Sequence, residues 1–133
     1  MSEEPGHARH YTLEEANAAL PKVRELIEAL RSASERLGDR EAREALSEAS
    51  PGNGGGDAGK TVSEGFVAMR EAMLELRGLE VVLRDLQRGL VDFPALRDGH
   101  EVYLCWQVDE SQVSHWHAAE TGFPSRLPLD PWL

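Results

Sequence analysis

The sequence predicts an α+β fold: a long antiparallel helical hairpin packed on a small antiparallel β-sheet of three to four strands. Two segments whose apolar residues recur at helical spacing flank a glycine-rich loop at residues 50–60. Strand-forming residues then alternate along residues 79–117, which we predict to form a β-meander. A chain of 133 residues fits one domain. We place it at 11–133, after a flexible N-terminal tail of residues 1–10.

The first helix has a clear start and a continuous apolar seam. Thr12 is a good N-cap residue, and Glu15 completes a capping box with it. Pro21 removes one helical N–H, but the seam keeps its phase across it, so we expect a kink there rather than an end. The apolar positions alternate in heptad fashion and comprise Leu13, Ala16, Leu20, Val23, Ile27, Leu30 and Leu37.

The second helix is predicted to begin at Thr61, which forms another capping box with Glu64. Gly78 is placed as the residue that ends this helix, so the hairpin covers residues 12–77. Two helices leave an apolar surface uncovered, which must meet the sheet, a second copy of the chain, or both. The seam consists of Val62, Phe66, Met69, Met73 and Leu76.

The glycine-rich loop contains one nucleotide-binding pattern. Residues 54–61 read GGGDAGKT, which matches G-x-x-x-x-G-K-[ST] from Gly54 to Thr61. That motif works between a strand and a helix of an α/β sheet, whereas here a helical segment precedes it. We therefore favour a flexible linker over a phosphate-binding loop.

The sequence predicts some strand segments more clearly than others. Residues 79–84 either continue the helix or form a short strand, which the adjacent valines favour. Leu90–Ala95 is strand-like, with Val91 and Phe93 on one face, Asp92 on the other, and Pro94 indicating an edge. Asp98-Gly99 predicts a hairpin turn before residues 101–108, which we place as the central strand. Residues 113–117 form the last strand, and residues 122–133 an extended tail.

Charge and cysteine content narrow the partners and the compartment. The formal net charge of -10 disfavours binding to nucleic acids and to anionic membranes. The single Cys105 cannot form an internal disulfide, and no signal peptide is recognised at the polar N-terminus. We therefore predict a cytoplasmic protein.

Five stretches of the chain form a recognisable set: TLEEAN from Thr12, GLVDFPA from Gly89, YLCW from Tyr103, Trp116-His117 and TGF from Thr121. Together they resemble a family of small bacterial proteins, the domain of unknown function 2203 family. The resemblance runs from about Tyr11 to Leu129 and breaks at residues 50–60. It implies one complete bacterial domain, and it brings no activity, substrate or cofactor. Glu110-Ser111 departs from the Gly-Glu turn expected there, so that turn can differ.

Polar residues that could do chemistry concentrate in the C-terminal half. His115 and His117 lie two apart, so on a strand both point to one face. A neighbouring strand could bring Asp92 or Glu101 opposite them, and two His with a carboxylate would form a divalent metal site, for which the first ligand set is His115, His117 and Asp92. The alternative is a buried hydrogen bond between His117 and Asp92, with His115 facing solvent. The full candidate set is Asp92, Glu101, Cys105, His115, His117, Glu120 and Arg126.

Two functions remain open at this point. The first is a cytoplasmic homodimeric interaction or scaffold protein that associates through its helical hairpin. The second is a small metal-dependent enzyme or ligand-binding protein with a site near Asp92 and His117, to which Arg126 adds a third candidate. Cys105 is interpreted as a core residue rather than a nucleophile. No cofactor, reaction or small-molecule ligand is predicted beyond a possible divalent metal.

Overall fold

The computed structural model describes residues 7–37 and 56–129, and for residues 56–62 and 123 it describes the backbone alone. These residues fall into two compact units, one formed by residues 22–78 and the other by the segments before and after it. The secondary structure comprises helices α1 (Leu13–Arg36) and α2 (Gly56–Leu79), and strands β1 (Val82–Asp85), β2 (Leu90–Arg97), β3 (His100–Gln107), β4 (His115–Ala118) and β5 (Leu127–Pro128).

The unit of residues 22–78 pairs the two helices in antiparallel directions. Lys22, early in α1, lies with its Nζ 3.5 Å from Oε2 of Glu75, late in α2. At the other end the Leu37 side chain lies beside Gly65. Much of the predicted seam is buried here, at Val23, Ile27, Leu30, Leu37, Phe66, Met69 and Leu76.

The bounds of α2 differ from the prediction at both ends. The helix begins at Gly56, so residues 56–60 are helical rather than loop. Gly54 lies outside the described residues, and Gly59 to Thr61 lie within α2 rather than in a loop between a strand and a helix. At the C-terminal end Gly78 is still helical, and the left-handed residue is Glu80 with φ 57°. The placement of Gly78 as the residue after the helix was therefore wrong.

Two glycines of α2, Gly65 and Gly78, make a matched pair for a stability test. A Cβ added at Gly78 would meet no atom within 4 Å. Alanine is favoured over glycine in helices by about 0.8–1.0 kcal/mol, so Gly78→Ala should raise the free energy of unfolding by up to about 1 kcal/mol. A Cβ at Gly65 would lie 2.8 Å from Cδ2 of Leu37, so Gly65→Ala should gain less or lose. Urea denaturation measures both. Equal gains would contradict the close approach of Leu37 to Gly65.

The second unit contains a five-stranded antiparallel sheet in the order β1-β2-β3-β4-β5. The predicted count of three to four strands was wrong. β5 comes from the tail predicted as unpaired extended chain, and it pairs through Leu127 with Trp116 of β4. A strand of two residues that contains a proline has too little alternation to be recognised. β3 lies in the middle, as predicted. That the hairpin packs on the sheet stays a prediction.

The first residues of α1 belong to the same unit as the sheet. The predicted capping box is confirmed, since Thr12 and Glu15 exchange hydrogen bonds of 2.9 and 3.0 Å. Tyr11 donates its backbone N–H to the carbonyl of Pro94 over 2.7 Å. Its ring packs edge-on against Phe93, with the ring centroids 5.2 Å apart. Pro94 lies beyond the part of β2 that β1 pairs with, so it stands at an edge position, as expected, where its carbonyl receives the N–H of Tyr11.

The strand register separates an apolar face from a polar one. Val91 and Phe93 stand opposite Trp106 and Leu104. The β2–β3 turn is the predicted hairpin, with both Asp98 and Gly99 at positive φ. On the other side of the sheet, adjacent strands bring together Asp92, Tyr103, Cys105, His115 and His117, which we call the polar face. The predicted alternation is confirmed on β2, β3 and β4.

Candidate functional site

A buried acid–histidine pair lies on the polar face. Nε2 of His117 lies 2.9 Å from Oδ2 of Asp92, and each side chain is only 2% exposed. Because Asp92 stands opposite Cys105, and Tyr103 opposite His117, the two side chains reach each other diagonally across β3. The predicted buried hydrogen bond between Asp92 and His117 is confirmed.

Hydrogen-bond geometry fixes how many protons this pair carries. Nδ1 of His117 lies 2.8 Å from the carbonyl oxygen of Ala118. A carbonyl can only accept, so Nδ1 carries a hydrogen. The contact with Asp92 needs a second proton, held either by Nε2 or by the carboxyl group. The pair therefore shares one proton between an imidazole and a carboxyl group, which is a combination used in acid–base chemistry.

Arg84 is a third member of this site. Its Nε donates to Oδ2 of Asp92 over 2.8 Å, and 43% of its side chain is exposed. The pairing of β1 with β2 shifts register between Leu83 and Asp85, which places Arg84 at an irregularity of the edge strand. Its guanidinium carbon also lies 5.0 Å from the ring centroid of Tyr103.

Sequence reasoning did not include Arg84 among the candidates, although a signal was available. The turn at residues 86–89 sets Val82 opposite Asp92. Arg84 is two residues further along the same strand, so it belongs to the same face.

The second oxygen of Asp92 has no partner within the described chain, and Asp92 itself is one of the residues that line a cavity. Oδ1 is buried and has no hydrogen-bond partner among the described residues. Asp92 and His117 line a cavity of about 250 Å³ together with Arg84, Leu90, Ala119, Thr121 and Gly122. A buried carboxylate oxygen ordinarily has a hydrogen-bond partner, so the unpaired Oδ1 calls for an explanation.

Arg126 and His115 belong to a neighbouring cluster around Glu110. Arg126 Nη2 donates to Oε2 of Glu110 over 2.9 Å, and its Nη1 lies 3.8 Å from Sγ of Cys105. His115 Nδ1 lies 3.7 Å from the same Glu110 oxygen and 3.0 Å from the Ser114 hydroxyl. The sequence suggested Arg126 as the third member of the site with Asp92 and His117, but the arginine that lines the cavity with them is Arg84.

The metal ligand set predicted from His115, His117 and Asp92 does not form. Among the described residues, no three His, Cys, Asp or Glu side chains are arranged to hold a metal ion. Both ring nitrogens of His117 are engaged in hydrogen bonds, and Asp92 already accepts a hydrogen bond from the cationic Arg84. His115 is directed to Glu110 instead.

The thiol of Cys105 is kept neutral by its surroundings. Burial and the nearby Asp92 charge raise the pKa of Cys105 from 9.0 to about 11, although Arg126 opposes the shift. A nucleophilic cysteine needs the thiolate form. The interpretation of Cys105 as a core residue of β3 is therefore favoured over a catalytic one.

Cys105 should resist alkylation by iodoacetamide at pH 8 in the folded protein and react at once in urea. Because its pKa is raised in the folded state, its contribution to stability is complete below about pH 9 and is lost as the pH rises toward about 11. Mass spectrometry of the alkylated protein follows the reaction. Rapid native modification at pH 8 would contradict the account of this thiol.

Two histidines of the predicted N-terminal tail, His7 and His10, contact the sheet unit through hydrogen bonds. His10 Nε2 lies 2.9 Å from Oε2 of Glu101, and His7 Nε2 lies 3.1 Å from the Tyr103 hydroxyl. Burial, and after it the Glu101 charge, raise the pKa of Tyr103. Of the predicted tail, residues 1–6 lie outside the described residues. Glu120, the remaining candidate, is exposed.

Within residues 7–37 and 56–129 these features define an α+β architecture with two long helices and a five-stranded sheet that buries an acid–histidine pair on one face. Residues 9–129 match the model of the family described as Uncharacterized conserved protein (DUF2203), so the chain belongs to that family. No curated protein and no solved structure matches the chain. None of the helices described is both long and apolar enough to cross a membrane.

Proposed function

We propose that this domain binds a small polar ligand in the cavity beside Asp92, His117 and Arg84. The observation that carries the proposal is the buried Oδ1 of Asp92, which has no partner within the described chain and belongs to a residue that lines the cavity. A buried polar atom left without a hydrogen bond costs about 1–3 kcal/mol. A donor group on a ligand would recover that free energy.

The neighbouring groups support a fixed orientation of the carboxylate. Oδ2 of Asp92 receives His117 on one side and Arg84 on the other, at 2.9 and 2.8 Å. Those two contacts hold the side chain so that Oδ1 stays free. The cavity of about 250 Å³ lies just below the ~300–1,000 Å³ of pockets for drug-sized ligands. The ligand is therefore small.

Asp92→Asn is a matched test of this proposal. Arg84 Nε can only donate, so the amide oxygen takes the position of Oδ2, and the amide NH₂ takes the position of Oδ1 and turns an acceptor into a donor. We expect saturation-transfer NMR with a set of small polar metabolites to find binders of the wild type whose affinity falls at least tenfold in Asp92→Asn. Glu110→Gln, in the neighbouring cluster, should keep binding. Binders unaffected by Asp92→Asn, or none at all, would contradict the proposal.

A second candidate function is self-association through α2. Val67 and Leu74 are large apolar residues that are 55% and 51% exposed. They lie two helical turns apart on one face of α2. A two-fold axis between Arg70 and Glu71 would place Val67 against the second copy's Leu74 and Arg70 against the second copy's Glu71. This charge and shape complementarity favours a second copy of the chain as the occupant.

The self-association proposal predicts a dimer in solution. Light scattering at micromolar concentration should give twice the mass of 14.7 kDa. Leu74→Glu should return the protein to a monomer, whereas Leu127→Glu, at another exposed apolar position, should not. A wild-type monomer at that concentration would contradict the proposal.

A further inference from the structure

We propose that the ligand of the Asp92 cavity is a small hydroxycarboxylate, an inference that rests on the ligand-binding function above. Its hydroxyl would donate to Oδ1 of Asp92, and its carboxylate would pair with the guanidinium of Arg84. Both groups line the same cavity.

The first requirement on the ligand comes from Asp92. An ionised carboxylate oxygen accepts hydrogen bonds and donates none. Oδ1 is buried without a partner, so the ligand must present an O–H or N–H at that point. A simple carboxylate or an inorganic anion lacking a hydrogen would leave Oδ1 unsatisfied.

The second requirement comes from the charge of the cavity wall. Asp92 and His117 share one proton and are neutral as a pair, whichever of them holds it. Arg84 then leaves the wall with one positive charge. A monoanion neutralises this charge, and a guanidinium pairs with carboxylates through parallel hydrogen bonds. An aminocarboxylate zwitterion fits less well, because its ammonium group would lie beside Arg84 and the shared proton.

The third requirement comes from distance. Arg84 Nε lies 2.8 Å from Oδ2, the other oxygen of the carboxylate that carries Oδ1. The donor and the anionic group of the ligand must therefore be neighbours, as in a 2-hydroxycarboxylate. The walls beyond these groups are short side chains, at Ala119, Thr121 and Gly122. A chain of few carbons fits this space.

Four three-carbon compounds separate these requirements in calorimetric titrations. Lactate carries both groups, propionate lacks the hydroxyl, 1,2-propanediol lacks the charge, and alanine replaces the hydroxyl with an ammonium group. We expect lactate to bind at least tenfold more tightly than each of the other three. Equal binding of propionate or alanine would overturn the proposed class.

Variants assign each preference to its residue. Arg84→Gln should remove the preference for lactate over 1,2-propanediol, and Asp92→Asn the preference for lactate over propionate. Ala119→Leu narrows the cavity and leaves the acid–histidine pair unchanged, so it provides a second test if Asp92→Asn fails to fold. It should weaken the binding of lactate at least tenfold. Unchanged lactate binding in Ala119→Leu would place the ligand elsewhere and overturn the inference.

The outcomes also distinguish the proposed ligand class from the more general proposal that the cavity binds a small polar ligand. If the metabolite set yields binders that Asp92→Asn weakens, but lactate does not bind, the site stands and the ligand class is wrong. If no compound of either set binds, both fall together.

Discussion

Replacement of Asp92 by alanine should lower the free energy of unfolding by about 3–5 kcal/mol, the usual cost of removing one partner of a buried ion pair. The loss is large because His117, which is 2% exposed, would keep an N–H or a proton without its acceptor. Arg84 can turn to solvent, since 43% of its side chain is already exposed. Urea denaturation of the variant and the wild type gives the difference.

Two controls make that result specific to the pair. Asp109→Ala removes an exposed carboxylate from a turn, and it should change stability by no more than about 0.5 kcal/mol. Asp92→Asn keeps one acceptor for His117 and Arg84, so it should cost less than Asp92→Ala. A loss below about 1 kcal/mol in Asp92→Ala would show that the pair does not hold this face together.

Trp106→Ala should cost a similar amount, about 3–5 kcal/mol, because it removes a large side chain from the centre of the sheet's apolar face. Trp106 is fully buried in β3, and its indole N–H donates to the carbonyl of Glu110 over 3.0 Å. The variant loses both the packing and that hydrogen bond. The midpoint of urea unfolding reports the effect.

Trp116→Ala is the matched control for this prediction. Trp116 of β4 stands opposite Leu104 of β3 but is only half-buried. The Arg97 guanidinium lies 4.7 Å from its ring centroid. We expect a clearly smaller loss than at Trp106. If the two tryptophans cost the same, the assignment of β3 as the central, buried strand would be wrong.

Elements with local signals could be predicted from the sequence. The capping box at Thr12 and Glu15 acts over one helical turn, and the Asp98-Gly99 turn acts over one hairpin. Residue alternation was enough to place Asp92 and His117 on the same face, because side chains in a strand change sides at every residue. Once β2, β3 and β4 were recognised as neighbours, the Asp92–His117 contact followed.

Features that depend on long-range pairing could not be predicted in the same way. β5 is too short to be recognised without β4 beside it. Alternation alone places Arg84 on the face of Val82, but the residue of β2 that it reaches depends on the register of β1, which shifts between Leu83 and Asp85. The start of α2 at Gly56 runs against the low helix propensity of glycine. The free oxygen of Asp92 depends on three side chains from three strands meeting at one point.

We propose that a ligand in the cavity donates a hydrogen bond to Oδ1 of Asp92. A crystal structure of the protein with the tightest-binding small molecule would show this contact or its absence. We predict a hydroxyl or amine of that molecule within about 2.7–3.2 Å of Oδ1, the range of ordinary hydrogen bonds. A molecule bound elsewhere, with Oδ1 satisfied by ordered water alone, would contradict the account.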